Sequence, residues 1–141
     1  MILYAESSAV LAWLLRQADG ARVESLLADA TFAATSDLTL VECDRALCRE
    51  VALGQMSQAR VRQLRNDLAA AIAKWQTIRL LPSIIQRARE PFACDPIRSL
   101  DALHVASALH ARIAHTDVIV LTLDSRIKRA AESVGLSTLP D

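Results

Sequence analysis

Four acidic residues carry most of the chemistry legible in this chain: Glu6, Glu42, Asp101 and Asp124. Glu6 closes the apolar run at 2–5, and Asp124 closes the run at 118–123. Each is followed at once by a helical pattern. In open α/β sheets, sites form in the crevice at the carboxyl ends of the strands, so acids at these junctions are placed to meet. Two carboxylates ~4 Å apart repel by roughly 4 kcal/mol at an effective dielectric of about 20. Several can share a pocket only if some are protonated or a cation neutralises them. Oxygen donors with no nearby Cys/His set favour Mg²⁺ or Mn²⁺ over zinc.

Sixteen acids are present, so position has to choose among them. Asp117 is a control. It lies just before the strand-like VIVLTL segment, at the opposite end from Asp124, and the topology that selects Asp124 excludes it. Each selected acid also has a plain structural role. Glu6 reads as an exposed acid before a helix, where negative charge is favoured. Asp124 is a good N-cap. Glu42 completes a capping box with Thr39, and Asp101 complements the dipole in a first helical turn. Their common placement is more telling, because every one lies at a helix start or within two turns of it. Ser7 and Thr122 flank two of the acids. Both suit capping or strand formation, and both could hold a carboxylate or a bound water. His104 shares a helix face with Asp101 and reads as a buried structural histidine. His110 and His115 are poorly spaced for one ion and read as surface or partly buried residues.

The elements that must position these residues alternate between strand and helix. Strands are expected at 1–5, 31–35 and 77–81, in VIVLTL, and in LSTL as an edge strand. Ser7 or Ser8 caps a helix through SAVLAWLLRQ, Asp19-Gly20 breaks it, and ARVESLLADA forms the next. Ser36 or Asp37 caps a helix that Gly54 stops in the C′ manner. Beyond Ser57, Val61, Leu64, Leu68, Ile72 and Trp75 recur at steps of three and four, an apolar helical stripe. Pro82 suits a first helical turn, and that helix fades by Glu90-Pro91. A loop spans 93–98, Ser99 caps a helix to about His115, and the last helix runs from Asp124 to Val134, ended by Gly135. This alternation implies an α/β chain, helices on both faces of a mostly parallel sheet of four to five strands, in a single domain over 1–141.

Bulk properties set limits. With 52% hydrophobic and 4% aromatic residues, the core is mainly Ala, Leu, Val and Ile. Formal net charge is zero, so nucleic acid would have to be bound by a local basic patch. Cys43, Cys48 and Cys94 lack CxxC spacing, which argues against a disulfide framework or zinc site. Cys43 and Cys48 read as reduced core residues. No apolar run approaches the ~18 residues of a membrane span, and no basic stretch precedes the first apolar run. The default expectation is a cytoplasmic protein with no membrane association.

Four segments carry a family resemblance: LYAESSAV, TSDLTLVECDRAL, SLDALHVASAL and VIVLTLDSRIKRAAESVGL. Together they make the chain similar to the PIN-domain ribonucleases, and within them to the VapC-type toxins of toxin–antitoxin pairs. The third and fourth are the most specific, a Leu-Asp-Ala-x-His-x-Ala pattern and a Thr-x-Asp strand end before a basic, Ala-rich helix. The resemblance implies a PIN-like α/β/α fold and metal-dependent cleavage of RNA phosphodiester bonds. Glu42, Asp101 and Asp124 would be acidic metal-site residues, supported by Ser7 and Thr122. Glu6 occupies the place of the family's first acid, usually Asp, and extends the carboxylate by one methylene. An antitoxin partner and a homodimer are also implied. Candidate RNA contacts near the acids are Arg45, Arg49, Arg98, Arg126, Lys128 and Arg129.

Two alternatives stand beside the nuclease. The change at Glu6 is compatible with a non-catalytic PIN-like RNA- or protein-binding module. A phosphoreceiver-like domain also gathers acids at a sheet edge, but it normally places a Lys near the end of a late strand, and LSTLPD has none.

Overall fold

In the computed structural model, which describes residues 1–141, the chain begins with β1 (Ile2–Ala5), α1 (Ser7–Leu14), α2 (Gly20–Asp29) and β2 (Phe32–Ser36). It continues through α3 (Asp37–Ala52), α4 (Gln58–Ile72), β3 (Gln76–Ile78) and α5 (Pro82–Arg89). The last elements are α6 (Ser99–Ala114), β4 (Val118–Leu121), α7 (Ser125–Ser133) and β5 (Ser137–Leu139). The five strands form one sheet in the order β3-β2-β1-β4-β5, and every pairing is parallel. The sequence pointed to a mostly parallel sheet; the sheet is wholly parallel.

β1 lies at the centre because its residues can be buried on both sides. Successive side chains point to opposite faces of a strand. Tyr4 enters a core built with α5, α6 and α7, whereas Leu3 and Ala5 enter cores built with α1 to α4. β4 repeats the pattern, with Val118 and Val120 on the first face and Leu121 on the second. The chain leaves β1 towards β2 and β3, then crosses back through α5 and α6 to β4 on the other side of β1. That reversal opens a crevice at the carboxyl ends of β1 and β4.

Local signals account for most element ends. Gly54 (φ 69°) and Gly135 (φ 76°) follow α3 and α7 in the left-handed region, where glycine has no Cβ penalty. Ser57 caps α4 by accepting from the Arg60 N–H, and Pro82 opens α5. Val61, Leu64 and Leu68 are buried, so the helical stripe is core. Cys43 is buried, whereas Cys48 and Cys94 are half-buried. No helix is long and apolar enough to cross a membrane.

Several expected boundaries move for physical reasons. β2 begins one residue later than expected and includes Ser36, which also caps α3 by accepting from the Thr39 N–H. The Thr39–Glu42 capping box is therefore not formed, and the Thr39 hydroxyl has no hydrogen-bond partner. β3 covers 76–78 rather than 77–81. Its partner β2 turns into α3 after Ser36, which pairs with Ile78, so the ladder ends there. The α1 cap is neither Ser7 nor Ser8 but the Glu6 carboxylate. Ser99 is the first residue of α6, and Arg98 takes the cap position without making a side-chain cap bond.

Two predictions come from this packing. A Cβ on Gly20 would lie 2.4 Å from the Ala12 carbonyl oxygen, so α2 starts hard against the α1 backbone. Gly20→Ala is expected to destabilise the chain by about 1–3 kcal/mol through overpacking, read as a lowered urea midpoint; an unchanged midpoint would show that the helices do not meet this closely. The second concerns alkaline pH. Burial, helped by nearby Glu42 and Glu6, pushes the Cys43 thiol from 9.0 up to about 12, and burial holds the Tyr4 phenol well above its ordinary 10.0. Groups raised in this way contribute stability that is complete below their unfolded values. It is lost as pH rises towards the folded ones. Stability should therefore fall from about pH 9, by up to about 1.4 kcal/mol per pH unit for each group once its unfolded form ionises. Cys43→Val should remove the earlier part of the decline in urea titrations from pH 8 to 11. A flat native profile over that range would contradict both assignments.

Candidate active site

The sheet register brings the first acid to its partners. Ala5 pairs with Leu121, so Glu6 and Thr122 are neighbours one step beyond the ladder, and the Glu6 N–H donates to the Leu121 carbonyl at 3.0 Å. The Glu6 carboxylate is buried rather than exposed. Its Oε1 accepts from the Ser7 hydroxyl (2.6 Å) and the Ser8 N–H (3.0 Å). Its Oε2 accepts from the Thr122 hydroxyl (2.8 Å) and from the Ser8 hydroxyl. Those four donors use the roughly four acceptor sites a carboxylate offers. Ser8 in turn accepts from the Leu123 N–H (2.8 Å), so the turn after β1 is stitched to the turn after β4.

Glu42 comes to the same place from the second turn of α3. Its Oε1 lies 2.5 Å from Nε2 of His104 on α6. The same ring nitrogen is 3.7 Å from Glu6 Oε1 and 3.4 Å from the Ser7 hydroxyl. His104 is buried, as the sequence implied, but it also bridges Glu6 and Glu42, a role its helix spacing only hinted at. On its far side, Nδ1 lies 3.2 Å from the Tyr4 hydroxyl, which donates to Ser36 Oγ at 3.0 Å. The ring is thus held at both nitrogens, between Tyr4 on one side and Glu42 on the other.

Asp101 and Asp124 form the other half. Asp101 is buried in the first turn of α6 and is gripped in bidentate fashion by Arg98, Nε to Oδ2 at 2.8 Å and Nη2 to Oδ1 at 3.0 Å. The same Nη2 lies 3.7 Å from Asp124 Oδ2. These contacts, led by the hydrogen bonds to Asp101, hold the Arg98 guanidinium above its ordinary pKa. Asp124 caps α7 as expected, accepting from the Arg126 N–H at 2.7 Å, and its own N–H donates to Thr122 Oγ1 at 3.1 Å. Thr122 thus joins Glu6 to Asp124. Asp117 is exposed before β4, away from this edge.

No three acidic, histidine or cysteine side chains converge on one point as ligands for an ion. The four acids instead form two bridged pairs, Glu6 and Glu42 around His104, and Asp101 and Asp124 around Arg98. The oxygen-rich donor set suits a hard divalent cation. Arg98 stands in as a positive charge between Asp101 and Asp124, where such a cation would be neutralised. By donor chemistry the residues suit a divalent ion, and they are not gathered into a ready-made ligand set.

The basic candidates separate by position. Arg98 is committed to the acids. Arg126 is largely exposed, with Nε 3.8 Å from Asp124 Oδ1. Arg45, Arg49 and Arg129 are exposed on their helices. Lys128 donates to the Pro140 carbonyl and, with Arg22, lines a cavity of about 230 Å³ beside Thr122 and Asp124. Arg22 carried no local signal, because α2 reaches this edge only through the fold. Ser8 could have been found from its position two residues after Glu6, the ordinary reach of a capping side chain. Tyr4 is the only tyrosine, and its place in an otherwise aliphatic strand was the one hint of a buried polar partner.

Solved structures share this architecture. FitAcB from Neisseria gonorrhoeae superposes with a TM-score of 0.70 at 17% identity, covering 99% of this chain and 97% of that one. VapBC2 from Rickettsia felis, bound to a DNA fragment from their promoter, gives 0.66 at 15% identity, covering 99% and 98%. PAE2754 from Pyrobaculum aerophilum gives 0.65 at 17%, covering 98% and 83%. At these identities the likeness concerns the fold. No curated protein matches the sequence. The family model of the PIN domain matches residues 3–133, nearly the whole chain, and this chain belongs to the PIN-domain family.

Proposed function

We propose that this chain is a metal-dependent ribonuclease that cleaves RNA phosphodiester bonds, and the toxin component of a toxin–antitoxin pair. The observation that carries the reading is the placement of Glu6, Glu42, Asp101 and Asp124 at one sheet edge, in two pairs bridged by His104 and by Arg98 and linked through Thr122. Asp101, Asp124 and Glu42 would hold Mg²⁺ or Mn²⁺. Glu6, with both oxygens engaged by Ser7, Ser8 and Thr122, completes the negative charge and sets the position of the strand ends. A divalent ion bound there would supply charge neutralisation for the phosphate and a lowered pKa for an attacking water. Arg45 and Arg126, with Arg22 and Lys128 along the neighbouring cavity, would hold the RNA backbone against an otherwise repulsive acidic pocket.

The toxin–antitoxin assignment is supported by solved neighbours described as VapBC2 and FitAB, each bound to a DNA fragment. An antitoxin and a second copy of the chain are the proposed partners. An open groove of about 580 Å³ between α1, α2 and α4, lined by Trp13, Leu64 and Ala71 among charged residues, has room for part of a partner segment.

One observation favours a second reading, a binding module without catalysis: Glu6 has no free oxygen, and Asp101 is already paired. A ribonuclease assay with Mg²⁺ and with Mn²⁺ separates the two. Native chain is expected to cleave RNA. Asp101→Asn should lose roughly 100-fold or more, the scale seen when one group stabilising reacting charge is removed, and Glu6→Asp should keep or increase cleavage. Silence from the native chain on diverse RNAs with both metals would leave the binding module standing. Full cleavage by Asp101→Asn would refute the site as assigned.

A further inference from the structure

Arg98 takes a helix-cap position but makes no cap bond, and its guanidinium lies across two acids instead. The two sides of this clasp differ in freedom. The Asp101 side chain is 5% exposed, whereas that of Arg98 is 56% exposed. The Arg98 carbonyl accepts from the Ala102 N–H at 2.9 Å, which fixes its backbone to α6. Only the side chain is free to swing, and it can do so into solvent. A guanidinium forked onto a carboxylate uses the same oxygens that a divalent cation would need. With Arg98 forked onto both Asp101 oxygens, its positive charge also opposes a second cation on the same carboxylate.

We propose that Arg98 is a built-in counter-ion that competes with the divalent cation for Asp101 and Asp124, so that the cation binds only when the arginine swings out. The inference rests on the metal-site reading given above. Without a cation, the clasp relieves repulsion between the two acids and lets the chain fold with a charged pocket. With a cation, one univalent partner is exchanged for one divalent partner. The apparent affinity is then reduced by the fraction of chains in which the clasp is open. Removing the arginine removes that reduction.

The test is a calorimetric Mn²⁺ titration of the full chain, native against Arg98→Ala, Arg98→Lys and Asp101→Asn, with melting curves recorded with and without Mn²⁺. Arg98→Ala is expected to bind Mn²⁺ about tenfold more tightly than the native chain, which corresponds to a clasp closed in about nine chains of ten. It should melt lower than native without Mn²⁺ and gain more from its addition. Arg98→Lys keeps the charge but loses the fork, and should fall between the two; it decides the matter if Arg98→Ala does not fold. Asp101→Asn should abolish binding. Equal or weaker Mn²⁺ binding after loss of the arginine would overturn the clasp and leave the metal site intact. An absence of Mn²⁺ binding in native and Arg98 variants alike would overturn both.

Discussion

The structure turns on how negative charge is tolerated where β1 and β4 end. A parallel sheet with a reversal at its centre delivers the starts of several helices to one edge, and with them any acids those starts carry. In this chain four such acids arrive together. Uncompensated, carboxylates in such a place would repel one another by several kcal/mol. Each is instead supplied with a partner. Glu6, just after β1, takes hydroxyls from α1 and from Thr122, just after β4, Glu42 on α3 meets His104 on α6, and Asp101 on α6 takes the guanidinium that also reaches Asp124. Some of these bonds are local, such as Ser7 to Glu6 and Arg98 to Asp101, but those of Thr122 to Glu6, His104 to Glu42 and Arg98 to Asp124 cross between elements. The pocket therefore belongs to the tertiary fold and would not survive in any single segment.

Beneath the acids lies a neutral layer that fixes one of the bridges. Tyr4 occupies the middle of the central strand, and its hydroxyl links His104 to Ser36 at the end of β2. Ser36 also caps α3, the helix that carries Glu42. The ring of His104 is thus oriented from below by the same residues that set the direction of α3. Its Nε2 points at Glu42 because its Nδ1 is occupied. Charge at the rim and hydrogen bonding in the core form one continuous arrangement.

Much of this was legible in the sequence, for reasons that can be named. Asp124 and Asp117 flank the same strand, yet strand direction alone places one in the crevice and the other outside it. Pro82, Gly54 and Gly135 mark element ends through backbone constraints that act locally, so they read correctly without tertiary information. What was hidden depends on contacts between distant segments. The span of β3 follows from where β2 turns into a helix. The bridging role of His104 depends on α3 and α6 meeting, and Arg22 reaches the site only because α2 packs beside β4. Arg98 was visible as a cation near an acid, as many surface arginines are. Only the structure shows that it faces two.

Two strand-end acids in this chain differ by one methylene, and the comparison explains why they are not equivalent. Asp124 caps its helix with one oxygen, and its short side chain leaves the carboxylate 26% exposed, with the second oxygen towards Arg98. Glu6 caps its helix through the Ser8 N–H in the same way, but its extra length carries the second oxygen back to Thr122 and the Ser8 hydroxyl, and its side chain is only 3% exposed. The longer acid is therefore closed by its own surroundings, while the shorter one remains open to an incoming partner. Under the proposed chemistry this divides the site into two parts. Asp101, Asp124 and Glu42 are the acids that can exchange their present partners for a cation. Glu6 is the fixed charge around which they are arranged, and its influence on catalysis would pass through the position of Thr122 and His104 rather than through an oxygen of its own.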